Sequence, residues 1–587
     1  MGTSSNVDAA ARRARAAAWA VLGVAALYTF VRAWRLTLDY YDGFDYLHNA
    51  SRLLREPVGA AIDDRRPMLL SVLQVPVVAL CRRLGPGNAW LLRGPHLLNA
   101  LLSMGSAAAL VVLLRRWYST TLALLGGVLF VCGRAFVHYG AHVMTDLAVT
   151  GLCAATLALH FEAVRTRKLG AFVLAGVVFG LAVAMKFSAP NLVFAILAAE
   201  AISLFDVAPA GAPGPRVRLN LDPWRRVGLA IEGLATVAAF AAVQLGSFSR
   251  LYGSGAWTVF REASASLSDV HWSLAGESWR DNLPMLIVIL SWPVVILAAA
   301  GALVAVVGPR RGDVPFAAWL IAMGGALVFL HGHNETRYLF PVVPAVIYFA
   351  LRGVEAVLDL GRRAGPVGVR TAAGVVGLFV AVALAAGVAQ AGEDADPAFT
   401  ADVHGRAARA MAERPPGEPP YAVGVFTTLA PATPGPLVED EFWNAFHASP
   451  FQFSYLLGEE AKAFPAPNAP AANDRDALFP RLPDGARVLR FAGTYFETRG
   501  FPKGPHNQAL EVWTVRRREL DLAQLRADHG RATLVSAPAG GPWWIYTKTA
   551  RRPWAFAGAS DTGDFGLPDA ADVDGLALVR VDVERFE

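Results

Sequence analysis

Charge is scarce in this chain. Only 17% of its 587 residues are Asp, Glu, Lys or Arg, whereas 54% are hydrophobic and the mean hydropathy is +0.38. A soluble domain carries roughly 25% charged residues, so the shortage excludes a chain bathed in water along its whole length. Cysteine is nearly absent. Cys81, Cys132 and Cys153 lie in apolar stretches without metal-ligand spacing and are expected to pack as core residues. The net charge is only +5, and its Lys and Arg are spread through short loops, which speaks against a nucleic-acid-binding face. Behind the first apolar run, 16–34, there is no small-residue cleavage site, so that run is expected to stay in place as a span. No internal repeat is visible.

Long apolar runs fill the first two thirds. A bilayer is spanned by about 20 mostly apolar residues. Runs of that order lie near 16–34, 95–114, 119–136, 145–163, 170–186, 188–206, 227–246, 284–307, 315–331, 338–354 and 371–391. These eleven predict a polytopic α-helical membrane domain over residues 1–391. Lys and Arg mark the cytoplasmic loops of such proteins. Here Arg12, Arg13 and Arg15 precede the first run. Alternate loops then carry Arg115 and Arg116; Arg165, Arg167 and Lys168; Arg216, Arg218, Arg225 and Arg226; Arg310 and Arg311; and Arg362, Arg363 and Arg370. The N-terminus is therefore expected in the cytoplasm. The stretch PMLLSVLQVPVVALC, 67–81, would invert this pattern if it crossed. It is short and holds Pro67 and Pro76, so it is expected to lie at the interface within a long first outer loop, 35–94.

FDVAPAGAPGP, 205–215, reads as a flexible cytoplasmic loop. Beyond residue 391 no run reaches span length. YAVGVFTTL, ARVLRFAGTYF, ALEVWTV, PWWIYTK and LALVRVDV read as short strands between turns. Residues 392–587 are expected to form a soluble α/β domain on the outer side. The Ala, Gly, Arg and Pro content suggests a bacterial source, hence a bacterial inner or cell membrane with the outer side periplasmic or extracellular.

Ionisable groups near membrane depth are costly and point to function. The candidates are Asp42 and Asp45 in YYDGFDYLHNASRLL, Arg66, His142 and Asp146 in FVHYGAHVMTDLAV, Lys186 in GLAVAMKFSAPNL, and His331, Glu335, Arg337 and Tyr338 in HGHNETRY. The topology puts all of them near the outer face, where they can line one polar cavity. Plainer roles stay open for each. Asp42 and Asp146 also suit helix caps, Arg66 a headgroup anchor, Lys186 a snorkelling side chain, and the histidines interfacial polar residues.

In order and spacing these motifs resemble the GT-C superfamily of polytopic glycosyltransferases, family 39 type, over roughly residues 16–390. That type includes protein O-mannosyltransferases and the transferases that add aminoarabinose to lipid A. The family has Asp-Glu in the first outer loop, then an aromatic and an amphipathic helix; here Asp42 and Tyr46 match, with HNASRLL behind. RRPMLLSVL, RGPHLLNALLSMGSAAALVVLLRRW, MTDLAVTGL, GLAVAMKFSAP and HNETRYLFPVVPAV follow in the family's order. One departure is plain. The second acidic position is Gly43, and Asp45 is the expected substitute.

The resemblance implies transfer of a sugar from a polyprenyl-phosphate donor to an acceptor hydroxyl, with inversion. Asp42 is then the base, with Asp45 positioning the acceptor or helping to hold a cation. Arg66, Lys186, Arg337 and Tyr338 would bind the donor phosphate. His142, Asp146, His331 and Glu335 are candidates for acceptor or metal binding, with Mg²⁺, Mn²⁺ or Zn²⁺ as the possible ions. The expected partners are the lipid-linked donor, the bilayer, and a glycan, glycolipid or protein acceptor, with no nucleic acid. Two other classes fit an intramembrane charge cluster: a lipid or solute transporter or flippase, and a non-catalytic scaffold of the same fold. The absence of inverted repeats and midplane helix breaks disfavours the first. Eleven spans exceed what an anchor needs.

Overall fold

The computed structural model describes residues 3–37, 39, 41–54, 67–85, 87–207, 217–219, 222–252, 278–325, 336–394, 409, 422–425, 455–456, 487–496, 504–518, 532–535, 544–547 and 578–585. Helices dominate up to residue 394. They are α1 (Thr3–Arg35), α2 (Tyr41–Leu54), α3 (Leu69–Arg82), α4 (Trp90–Leu114), α5 (Thr120–Val131), α6 (Arg134–Tyr139), α7 (Thr145–Thr166), α8 (Leu169–Met185) and α9 (Val193–Ser203). Then follow α10 (Pro223–Tyr252), α11 (Ser278–Leu290), α12 (Trp292–Val307), α13 (Asp313–Trp319), α14 (Val343–Arg363) and α15 (Gly365–Glu393).

Among the described residues six helical segments are long and apolar enough to cross a bilayer: Ala11–Arg35, Trp90–Leu114, Thr145–Thr166, Pro223–Gln244, Thr336–Arg363 and Gly365–Glu393. The chain is an integral membrane protein. Its outermost helices turn large apolar side chains outward, as Val24 (68% exposed) does on α1 and Val388 (72%) on α15. Such faces suit contact with lipid rather than water.

The other expected spans are shorter or broken. Residues 119–136 divide into α5 and α6 at Cys132–Gly133, where a side chain at Gly133 would meet the Ile289 carbonyl. Residues 170–186 form α8, of 17 residues. Residues 188–206 begin as a single 3-10 turn, Ala189–Leu192, before α9. The expected span 284–307 is bent by 113° between α11 and α12. Ser291 sits at the bend with φ +73°, a left-handed conformation that a helix does not tolerate, and Pro293 restarts the chain as α12. The run 315–331 is α13 continued by a π turn, Leu320–Gly324, as far as the described residues go. Up to seven crossings follow if the bent pair counts as one.

Packing fixes the two ends of the bundle. Gly301 of α12 and Gly353 of α14 let the helix backbones touch, since a Cβ at Gly301 would lie 1.8 Å from the Phe349 carbonyl oxygen. Asp313 accepts from the Tyr348 hydroxyl at 2.8 Å and from Arg352 at 3.0 Å, tying α13 to α14. Trp319 donates its indole N–H to the Pro341 carbonyl at 2.9 Å and so seats the 3-10 turn Thr336–Val342. Basic residues gather at one end: Arg116 and Arg165 share Glu162, Arg167 pairs with Asp222, and Arg225 pairs with Glu200. At the opposite end lie the close of α1, the start of α4, the α6–α7 turn, the close of α8, the 336–342 turn and the close of α15.

The expected interfacial run 67–81 is α3, packed between α2 and α4. Where a flexible loop is expected at 205–215, β1 (Phe205–Val207) pairs with β2 (Val217–Leu219) as an antiparallel ladder. Past residue 394 strands fall on the five expected stretches, and one more, Ala532–Val535, lies where none was expected. β3 (Ala422–Val425), β4 (Arg487–Phe496), β5 (Gly504–Arg518) and β8 (Leu578–Arg585) form one sheet in the order β3-β4-β5-β8. β3 and β4 run parallel and the other pairs antiparallel. β6 (Ala532–Val535) and β7 (Trp544–Thr547) form a second, antiparallel pair. This region touches the first loop at Tyr455 and Leu456. Arg82 donates to the Tyr455 carbonyl at 2.9 Å, and Gly87 N–H donates to the Leu456 carbonyl at 2.9 Å.

Candidate active site

Asp42 stands in the first turn of α2, where a carboxylate suits the helix dipole. Its Oδ2 lies 2.6 Å from Nη2 of Arg337, and the two side chains are 14% and 8% exposed. Arg337 also donates to the Met144 sulfur at 2.9 Å. Its neighbour Tyr338 presents a ring to two cations. The Arg337 guanidinium carbon is 5.2 Å from the ring centroid and the Lys186 ammonium is 4.5 Å from it. Lys186 ends α8 in an extended conformation and donates to the Asp146 carboxylate, in the first turn of α7. Five of the sequence candidates thus form one chain of contacts: Asp42, Arg337, Tyr338, Lys186 and Asp146. Asp45 is buried one turn beyond Asp42 on α2. Arg66, His331 and Glu335 lie outside the described residues.

His142 joins a second cluster. Its Nδ1 is 3.1 Å from Oδ1 of Asp39, while Nε2 of His96 is 3.2 Å from Oδ2 of the same carboxylate. The Val143 N–H also donates to Oδ2, at 2.9 Å. All three side chains are shut off from solvent. Beyond them Arg32 reaches His142 Nε2 at 3.4 Å and pairs with Asp394, which also meets His138 Nδ1 at 2.8 Å. Burial alone would raise the Asp39 pKa, but the hydrogen bonds from His142 and His96 hold it well below the usual carboxylate range. Burial pushes His142 down to about 4 against the pull of Asp39, so the ring is neutral at pH 7.

Asp39, His96 and His142 bring three potential metal-ligand atoms within 4.8 Å of one another. The hydrogen bonding does not fit a cation there. Arg32 can only donate, so Nε2 of His142 accepts and its Nδ1 carries the proton that goes to Asp39. The Asp39 oxygens are occupied by N–H donors, and a guanidinium sits behind the histidine. The cluster is a hydrogen-bond hub, and no step below is routed through a metal.

A family model described as dolichyl-phosphate-mannose-protein mannosyltransferase matches residues 77–207. Among solved structures, apo ArnT from Cupriavidus metallidurans superposes with a TM-score of 0.51 at 14% identity, covering 81% of this chain and 93% of that one. The apo oligosaccharyltransferase of Archaeoglobus fulgidus gives 0.50 at 13% identity, over 84% and 74%. The chain has the GT-C fold of these two membrane proteins. No curated protein matches it in sequence.

Within this GT-C fold, sequence reasoning missed Asp39, His96, Arg32 and Asp394. Asp39 carried a signal, as a third acid in LDYYDGFD beside the two chosen. His96 was hidden within a run long enough to span, where a lone imidazole reads as an interfacial polar residue. Arg32 lies inside the first apolar run, and Asp394 lies just past the last.

Proposed function

We propose that this GT-C protein is an inverting membrane glycosyltransferase that moves a sugar from a polyprenyl-phosphate donor to an acceptor hydroxyl. The observation that carries it is the Asp42–Arg337 ion pair, next to Lys186 and Asp146 around one tyrosine ring. Two cations facing one small space suit a phosphate leaving group, whose negative charge grows as the glycosidic bond breaks. Arg337 grips phosphate oxygens through paired N–H groups, Lys186 adds a point charge, and the Tyr338 hydroxyl donates a hydrogen bond. The matching family description names a dolichyl-phosphate-linked sugar, which supports this donor class.

Without donor, Asp42 and Asp146 neutralise the two cations. An arriving phosphate competes with them for Arg337 and Lys186. Once Arg337 turns to the phosphate, the Asp42 carboxylate accepts the proton of the attacking hydroxyl. The acceptor oxygen then bonds to the anomeric carbon from the face opposite the phosphate. The bond from that carbon to the phosphate oxygen breaks, its electron pair leaves on the phosphate, and the proton stays on Asp42. One displacement inverts the configuration and forms no covalent enzyme intermediate. From the sequence motifs we assign Arg66 to the donor phosphate, and Glu335 and His331 to acceptor or metal binding. The acceptor is a glycan, glycolipid or protein hydroxyl.

The alternating basic loops support a cytoplasmic N-terminus, an outward-facing Asp42 end and an outer position for residues 392–587 in a bacterial membrane. The purified protein, incubated with radiolabelled undecaprenyl-phosphate sugars and simple acceptors, should transfer or slowly hydrolyse one of them. Arg337→Ala should weaken undecaprenyl phosphate binding more than acceptor binding. Unchanged affinity for the lipid phosphate would contradict the role of the cations, and flipping of the lipid without cleavage would favour a transporter.

A further inference from the structure

Gly43 follows Asp42 and is the second position of the first-loop motif that this stretch resembles, where an acid is expected. The structure shows what fills the space. A Cβ built at Gly43 would lie 2.6 Å from the carboxyl carbon of Asp39, 2.6 Å from its Oδ2 and 3.0 Å from its Oδ1. Two C–C bonds at a normal angle put the carboxyl carbon of a glutamate about 2.5 Å from its own Cβ. The Asp39 carboxylate therefore stands close to where a glutamate at 43 would put its own. It is not free to move aside, because His96, His142 and the Val143 N–H hold it inside a solvent-free pocket. Asp45 cannot take this place. Residues two apart on a helix do not face each other, and α2 is helical through both positions.

We propose that Asp39 is the second carboxylate of this site, a positioning residue that enters from the chain before α2 and fills the space a glutamate at 43 would fill. It acts through His142 and the Val143 backbone, which it fixes against the first turn of α2. That contact holds the Asp42 end of α2 against the turn leading to Met144 and Asp146, and Met144 touches Arg337. Gly43 is then required, since any side chain there would expel Asp39. The assignment rests on the glycosyl-transfer reading for its effect on rate, but its geometry can be tested without it.

The test is an exchange of the carboxylate between the two positions. Asp39→Asn, Asp39→Gly, Gly43→Ala and the double variant Asp39→Gly/Gly43→Glu are purified as monodisperse full-length protein. Turnover is read with radiolabelled undecaprenyl-phosphate hexoses and headgroup affinity with undecaprenyl phosphate. Misplacing a reacting group by about 1 Å costs on the order of a hundredfold in rate. Asp39→Asn and Gly43→Ala should lower kcat by at least about tenfold with lipid phosphate affinity within about threefold of wild type. The double variant should regain at least about tenfold over Asp39→Gly. A folded double variant no faster than Asp39→Gly, or an Asp39→Asn protein with wild-type kcat, overturns the proposal. Amide exchange of the peptide containing Val143 gives the geometric answer whatever the activity. Exchange should quicken in Asp39→Gly and slow again in the double variant; exchange that ignores both changes overturns the proposal. Wild-type protein inactive on every donor would remove the transfer reading alone, and Val143 protection would then decide the place of Asp39.

Discussion

Replacing Asp42 by Asn should move two observables in opposite directions. The substitution keeps the shape of the side chain and removes its charge. If Asp42 takes the acceptor proton, turnover falls by the roughly 10²–10⁴ that a general base contributes, or about 3–5 kcal/mol of barrier. Donor binding should respond the other way. Arg337 lies 2.6 Å from Asp42, with both groups mostly buried. Such a pair is worth more than the ~1 kcal/mol ceiling of exposed pairs and less than the ~3–5 kcal/mol lost when a fully buried pair is broken. A phosphate that must displace the carboxylate forfeits part of that energy, and an amide at 42 returns it. A gain of ~1 kcal/mol tightens binding about fivefold. Undecaprenyl phosphate affinity, measured by intrinsic fluorescence or calorimetry in one detergent, should therefore rise severalfold in Asp42→Asn while single-turnover transfer collapses. Asp42→Ala, which also removes the hydrogen-bonding group that faces Arg337, should show the same signs with lower thermal stability. Near-normal transfer in Asp42→Asn would refute the base. Weaker phosphate binding would refute the competition between carboxylate and phosphate, because it would mean that Asp42 helps to hold the donor.

Other outcomes follow from the same structure. Chelation with EDTA should leave the melting temperature unchanged, since N–H donors occupy the Asp39 oxygens; a loss of thermal stability restored by Zn²⁺, Mn²⁺ or Mg²⁺ and abolished in Asp39→Asn would contradict this. His142 is held neutral with a pKa near 4, below its ordinary 6.5, so the unfolded chain binds the extra proton first as pH falls. The stability it allows is whole above pH ~6.5 and lost between ~6.5 and ~4, and the melting temperature should fall over that window in wild type but less steeply in His142→Gln. Gly353→Val should cost roughly 1–3 kcal/mol by overpacking, because its Cβ would lie 2.2 Å from the Leu297 carbonyl oxygen. A melting temperature equal to wild type would show that the α12–α14 crossing relaxes freely.

Much of this arrangement was legible in the sequence because membrane insertion is governed by local quantities. Apolar run length and basic loop residues report depth and side, and those two facts were enough to bring Asp42, Asp146, Lys186, Arg337 and Tyr338 to one end. They do not report which way a side chain faces around a helix. His142 is only four residues from Asp146, yet it turns to Asp39 and Arg32 while Asp146 turns to Lys186. The α11–α12 bend was illegible for a related reason. Hydropathy is continuous through ILSWPVV, 289–295, and the break lies in one backbone torsion at Ser291. Asp39 was overlooked because the adjacent Asp42 and Asp45 satisfied the motif, and only the missing Cβ of Gly43 shows that the space between acid and helix is already filled.

Burial separates the two acidic clusters by what each can do during a reaction. Asp42, Arg337 and Lys186 keep 14%, 8% and 17% of their side-chain surface open. A charged ligand can reach the Asp42–Arg337 pair and the Lys186 ammonium, whereas Asp146, the partner of Lys186, is only 3% exposed. Asp39, His96 and His142 are 0%, 0% and 2% exposed. Breaking any contact there leaves a buried polar group unsatisfied, at about 1–3 kcal/mol for each neutral group and more for the carboxylate. On the proposed glycosyl transfer, the open cluster is therefore the one whose ion pairs would turn over with donor and acceptor. The closed one would act as the fixed frame against which that exchange is registered, and substitutions in it should then change kcat through geometry before they change affinity for phosphate.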